Sequence, residues 1–189
     1  MHNTERTDAE LAVAAAGGEE RAFTELMRRY NEPLYRYVHR SMRGNEDAYD
    51  VLQEAFTVAL GSIDRYDPSR KFSTWIYHIA LNKVRDHGRK RAVRSFFFQA
   101  APLESPDRPD IADHSQNVQD DYEHRDELNR VSKMVDALPD KLRQAFTLQV
   151  LQDMPQSEVA EILSVSIKAV ETRVYRARKI LQEQVEKLD

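Results

Sequence analysis

The sequence predicts an all-α chain of two small helical domains joined by a flexible acidic linker. Three observations lead there. Apolar residues recur three and four apart through most of both halves. The 189 residues contain only 5 glycines and few β-branched clusters, which disfavours sheet. Charge is laid out in blocks rather than spread evenly. The formal net charge is −4. Residues 1–64 carry 7 basic and 12 acidic side chains, residues 65–94 carry 9 and 2, residues 95–127 carry 2 and 9, and residues 128–189 carry 10 and 9. A strongly basic block thus stands beside a strongly acidic one.

The elements follow in order. Thr7 and Glu10 have capping-box spacing, and Gly17-Gly18 ends the short helix they start. Ala22, Phe23, Leu26, Met27, Tyr30, Leu34, Tyr37 and Val38 form the stripe of a second helix, with a kink or break expected at Pro33 and an end at Arg43-Gly44. Asn45 can cap a third helix with Val51, Leu52, Ala55, Phe56, Ala59, Leu60 and Ile63 inward. A loop from Asp64 to Phe72 follows. Ser73 can then cap a fourth helix that buries Trp75, Ile76, Ile79, Ala80 and Val84, becomes basic from Arg85 to Arg94, and is weakened at Gly88.

Residues 1–94 read as the first domain. Residues 95–125 hold Pro102, Pro106 and Pro109 and many acids, without sustained periodicity, and read as a linker. Phe96, Phe97 and Phe98 begin it and are expected to pack against protein. The second domain, residues 126–189, starts with a helix carrying Leu128, Val131, Met134, Val135 and Leu138. Pro139 opens the next helix. A short helix from Pro155 to Leu163, a turn at Ser164-Val165-Ser166 and a longer helix to about Leu181 complete the chain.

That last pair of helices has the pattern of a helix-turn-helix. Ser166 can cap the second helix; Ile167, Val170, Val174 and Ala177 face inward, leaving Lys168, Ala169, Thr172, Arg173 and Arg176 outward. Ser164 to Leu181 hold 5 basic residues and 1 acidic one. Such a stripe suits the major groove better than it suits the other reading, the solvated face of an ordinary three-helix bundle. From Arg65 to Arg94, aromatics (Tyr66, Phe72, Trp75, Tyr77) interleave with cations (Arg65, Arg70, Lys71, Lys83, Arg85, Arg89, Lys90, Arg91). That mixture fits single-stranded nucleic acid, although aromatics at helical spacing also fill cores.

Several classes are disfavoured. The absence of cysteine removes disulfides, thiol nucleophiles and Cys-based zinc sites. The six histidines show no ligand spacing; His114 and His124 sit in the acidic linker with no role assigned. No Gly-rich phosphate loop is present. No catalytic residue, metal or cofactor is expected. No apolar run is long enough to span a membrane and no leader is evident, so a cytoplasmic protein without membrane insertion is expected.

With the segments in place, a family resemblance emerges. Residues Asp47 to Phe56 (DAYDVLQEAF) are similar to D-A-x-D-x-x-Q-E-x-F, and Phe72 to Asn82 (FSTWIYHIALN) to F-x-T-W-L-x-x-I-A-x-N. Ala137-Leu138-Pro139 with Arg143 resembles A-L-P-x-x-x-R. Glu158 to Leu163 (EVAEIL) and Val170 to Arg178 (VETRVYRAR) resemble E-I-A-x-x-L and T-V-K-S-R-x-x-R-A-R. In this order, the blocks resemble bacterial RNA polymerase sigma factors of the extracytoplasmic-function (ECF) group.

The resemblance implies a subunit that recruits core polymerase and opens promoters. Asp47, Asp50, Val51, Gln53, Glu54 and Phe56 would dock on the beta-prime clamp helices. Tyr66, Arg70, Lys71, Phe72, Trp75, Tyr77, Asn82, Lys83, Arg85 and Arg89 would capture the −10 element as it opens. Ser166, Lys168, Ala169, Glu171, Thr172, Arg173, Tyr175, Arg176, Arg178 and Lys179 would read the −35 element, with the second domain seated on the beta flap. The linker would thread through the polymerase, and an anti-sigma factor would regulate the chain. Two departures stand out: Lys168-Ala169 replaces a common Gly-Thr, and Glu171 a common Lys or Arg. Ser164 stands where a turn Gly is usual, which costs up to about 1 kcal/mol if positive φ is needed there. The rival readings are a stand-alone helix-turn-helix regulator and a nucleic-acid enzyme. The first would need a ligand or receiver domain, the second a metal cluster or acid–base pair.

Overall fold

Stripes of apolar residues with polar outer faces dictate helices that must pack on one another. The computed structural model describes residues 6–99 and 130–186, and among these there is no strand. The elements are α1 (Asp8–Ala16), α2 (Glu20–Ser41), α3 (Ala48–Gly61), a 3-10 turn (Ile63–Arg65), α4 (Phe72–Gln99), α5 (residues 130–137), α6 (Asp140–Phe146), a π-helical segment (Thr147–Leu151), α7 (Gln156–Leu163) and α8 (Ile167–Val185). Residues 100–129, most of the expected linker with His114 and His124, lie outside the described residues, as do the side chains of Phe96 to Phe98.

Local signals explain most boundaries. Thr7 and Glu10 form the capping box at the start of α1, and Gly17 ends it. Glu10 is held below the ordinary glutamate range by the backbone and hydroxyl hydrogen bonds of Thr7. Arg43 (φ 60°) and Gly44 (φ 71°) turn the chain after α2. Asn45 does not cap α3 itself; its side chain accepts from the Asp47 amide at 2.8 Å, one turn ahead of the helix. Ser73 is not a cap either: α4 begins at Phe72.

Three other expectations change. α2 runs unbroken through Pro33, because Leu26 before it and Leu34, Tyr37 and Val38 after it are buried in one core. Burial of each is worth roughly 1.5–3 kcal/mol, against one lost backbone hydrogen bond. α4 continues past Gly88 and past residue 94, so the first residues of the expected linker are helical. Leu60 and Val131 are half exposed rather than inward, since each sits at the margin of its apolar stripe.

The buried residues of both halves form a single cluster. Leu34, Tyr37, Leu52, Ile76 and Leu81 lie on one side and Leu138, Leu148, Val159, Ile162 and Val174 on the other. The halves are therefore packed together, with α7 against α4 and α6 against α2.

Candidate nucleic-acid interface

The helix-turn-helix is set by two serines. Ser164 takes the left-handed conformation (φ 55°, ψ 51°) at the end of α7, where its amide bonds the Glu161 carbonyl and the Val165 amide bonds that of Ala160. Ser166 then caps α8, its Oγ accepting from the Ala169 amide at 3.2 Å. Val170, Val174 and Ala177 are buried. Ile167, expected inward, is 47% exposed, because as the first residue of α8 it has no preceding turn to pack under.

The outer face of α8 presents Lys168, Glu171, Tyr175, Arg176, Arg178 and Lys179, with Ala169, Thr172 and Arg173 half-buried beside them. Tyr175 is 70% exposed. Glu171 pairs with Lys168 at 3.2 Å rather than with Arg178 or Tyr175, and Thr172 donates its hydroxyl to the Lys168 carbonyl at 2.8 Å. Arg173, Arg176 and Arg178 form no ion pair among the described residues. The face offers cations and an exposed ring within one helix width, which is what a groove with phosphate walls requires.

The second basic face surrounds the loop before α4. Asp67 accepts from the Ser69 amide at 2.9 Å and is held below the ordinary aspartate range by its hydrogen bonds to Ser69. Tyr66 is buried and donates its hydroxyl to the Arg70 carbonyl at 2.6 Å, closing the loop. The rings of Tyr66, Phe72 and Trp75 meet at 5.4–5.5 Å between centroids. Arg65, Arg70, Lys71 and the half-buried Trp75 line a cavity of about 460 Å³ there.

Phe72 and Tyr77 are core residues in this arrangement, and burial pushes the Tyr77 phenol up. Asn82 and Arg85 are exposed; Lys83 pairs with Glu54 at 3.3 Å, and Arg89 with Asp86. Asp47, just before α3, and Asp50 and Glu54 on it are exposed and Gln53 is half-buried, whereas Val51 and Phe56 are buried. Asp47 also contacts His87 Nε2 at 3.0 Å.

Sequence patterns do not reveal the contacts that join the two halves. Arg40 Nη1 donates to the Ser132 hydroxyl at 2.6 Å and lies 3.4 Å from Asp136. Arg43 pairs with Asp140 at 3.1 Å. Gln152 accepts from the Tyr77 hydroxyl and donates to the Pro33 carbonyl, both at 3.3 Å. α7 meets the loop and α4 through Arg70–Glu161 at 3.1 Å and through Lys71–Glu158. Among the described residues no group of three or more His, Asp or Glu side chains is placed to hold a metal, and no helix is long and apolar enough to cross a membrane.

Comparison with known proteins bears on these faces. The family model for Sigma-70 region 2 matches residues 26–94 and that for Sigma-70, region 4 matches residues 128–181. The chain is 36% identical over 177 residues to the RNA polymerase sigma factor CnrH of Cupriavidus metallidurans, covering 93% of each chain. It is 31% identical over 177 residues to the ECF RNA polymerase sigma factor SigW of Bacillus subtilis, covering 90% of this chain and 92% of the relative. The solved structure of CnrH in complex with the cytosolic domain of CnrY superposes with a TM-score of 0.70 at 31% identity, covering 95% of this chain and 97% of that one.

Proposed function

The chain belongs to the extracytoplasmic-function group of RNA polymerase sigma factors, and from that premise we propose how its surfaces divide the work of starting transcription. It is an alternative sigma factor that directs promoter-specific initiation. A helix-turn-helix regulator acting alone is not favoured, because both sigma regions are present in order.

The observation that carries the division of labour is the presence of two basic faces of different shape on one chain. α8 is an exposed, cationic helix face and reads the −35 duplex in the major groove, through Lys168, Glu171, Thr172, Arg173, Tyr175, Arg176, Arg178 and Lys179, with Ser166 and Ala169 at its start. The face around Arg70, Lys71 and Trp75 is concave and aromatic. It captures the opened −10 strand, with Asn82, Lys83, Arg85 and Arg89 farther along α4 and Tyr66, Phe72 and Tyr77 supporting the fold beneath. Unstacking a base costs a few kcal/mol, which stacking and backbone contacts offset.

Docking on the beta-prime clamp helices uses the exposed carboxylates Asp47, Asp50 and Glu54 with Gln53; Val51 and Phe56 hold that helix in place. The region ending near residue 94 is the −10 and docking unit, and the region from residue 126 the −35 unit, seated on the beta flap. Residues 95–125 pass through the polymerase, which itself performs the chemistry, so no catalytic group, metal or cofactor is required of this chain. The protein works in the cytoplasm, and its regulator is an anti-sigma factor. Support comes from CnrH, whose solved structure holds the cytosolic domain of CnrY.

Reconstitution tests the proposal. Purified core polymerase plus this chain should initiate at cognate genomic promoters that core alone ignores. Absence of promoter-specific initiation at every genomic site would overturn it.

A further inference from the structure

The face that carries Arg70, Lys71 and Trp75 is partly covered by the chain itself. α7 lies against α4 and the preceding loop. Lys71 Nζ contacts the Glu158 carboxylate, and Ser73 Oγ donates to its other oxygen at 3.5 Å. Arg70 Nη1 meets Glu161 Oε1 at 3.1 Å. His78 Nδ1 donates to the Ile162 carbonyl, in the last turn of α7, at 3.2 Å. Glu161 and Ser164 line the same cavity as Arg70, Lys71 and Trp75.

Glu158 is the decisive group. Its side chain is only 12% exposed, while that of Lys71 opposite is 67% exposed. A carboxylate leaves water only where a cation and a hydroxyl replace its hydration, and here both come from the −10 face. Glu158 is therefore seated in that face rather than resting near it.

We infer that α7 is an intramolecular stand-in for promoter DNA on the −10 face. This rests on the −10 reading proposed above. Glu158 and Glu161 present anionic oxygens to the same two cations that would hold strand phosphates. Closure of the chain and capture of single-stranded DNA are then mutually exclusive. The masking is one-sided, because Lys168, Tyr175, Arg176 and Lys179 on α8 are exposed in the same closed chain. Free protein can engage a −35 duplex before it can take an opened strand. The ion pairs facing water are screened by salt, so docking on polymerase can undo them.

The test uses the full chain and exploits its lack of cysteine. Arg40→Cys/Ser132→Cys, joined by a short bis-maleimide, locks the closed form at a contact away from the −10 face. Glu158→Gln/Glu161→Gln removes the stand-in charges without adding cations. The probe is a fluorescent random single strand of about 12 nucleotides, long enough for backbone tracking and stacking. Locking should weaken its binding by about tenfold or more relative to the same variant unlocked, and the double Gln variant should bind about fivefold tighter than wild type, as expected when two phosphate contacts are gained. A −35 duplex selected with the reconstituted holoenzyme should bind the locked and unlocked chains equally. Equal single-strand binding by locked and unlocked chains overturns the inference, as does wild-type affinity in the double Gln variant. Failure of the −10 reading shows differently: Arg70→Ala/Lys71→Ala then leaves single-strand affinity unchanged in the Gln background, and the inference falls with it.

Discussion

Arg143 of α6 donates through Nη2 to the carbonyl of Ser41, the last residue of α2, at 3.0 Å, tying the two halves of the chain together. The same guanidinium bonds the carbonyls of Leu138 at 2.8 Å and Asp136 at 3.1 Å, and the Asp140 carboxylate at 2.7 Å. Its side chain is 2% exposed. Four acceptors are thus organised by one buried cation.

Arg143→Met should lower stability by about 3 kcal/mol, since three carbonyls lose their donor in a buried setting. Arg143→Lys should recover little, because one ammonium cannot fill a planar fork. Urea denaturation of the full chain measures both; a lysine variant as stable as wild type would contradict the geometry.

Acid should remove a specific part of the stability. Hydrogen bonds from Arg28 and then Arg29 hold the Glu25 carboxyl at about 2, below its ordinary 4.5. Burial pushes Asp140 up, yet hydrogen bonds from Arg143 and Arg43 outweigh it and leave the carboxyl below its ordinary range. Both pKa values are depressed on folding. Their contribution is complete above the unfolded values and is lost as pH falls through the folded ones. The Glu25 share should fade between pH 4.5 and about 2. Glu25→Gln should flatten that limb of a Tm-against-pH curve and leave the curve above pH 6 nearly parallel to wild type.

Ser164 sits at positive φ with a Cβ that disfavours it. Ser164→Gly should raise stability by up to about 1 kcal/mol. Ser164→Val should lower it by at least as much, since a β-branched residue resists that region. Denaturant midpoints for the three proteins should fall in the order Gly, Ser, Val.

The two faces proposed to meet DNA should separate by mutation. Arg176→Ala should cost about 1–3 kcal/mol of −35-dependent promoter binding and lower its salt slope if phosphate is the partner. Asn82→Ala, at an exposed position on α4, should slow strand opening while leaving −35 occupancy unchanged. Footprinting occupancy together with permanganate reactivity of the −10 bases distinguishes these outcomes.

Elements governed by neighbours in sequence were legible: the capping box at Thr7 and the Ser166 cap follow from residue type at short spacing, whereas the left-handed turn at Ser164 was raised only by the family resemblance, because serine itself disfavours that conformation. Most apolar stripes were legible too. A break at Pro33 does not occur because the cost of a lost hydrogen bond is local, whereas the burial that keeps α2 continuous comes from other helices. The joins between halves were not legible. Arg40–Ser132, Arg43–Asp140 and Lys71–Glu158 are single side-chain meetings between distant segments and leave no period behind. The candidate site divides similarly. Exposure of the α8 cations and burial of Val51 and Phe56 follow from helix phase, but the placement of Tyr66, Phe72 and Tyr77 in the core needed the packing of α2, α3 and α4.

α4 is one continuous helix of 28 residues, about 42 Å of stiff rod at 1.5 Å per residue. Trp75 sits near one end, and the chain leaves from Gln99 at the other. Such a rod bends little along its length, so the two ends act as one lever. A sideways displacement imposed on the Gln99 end is therefore carried to the Trp75 end about the packing contacts between them.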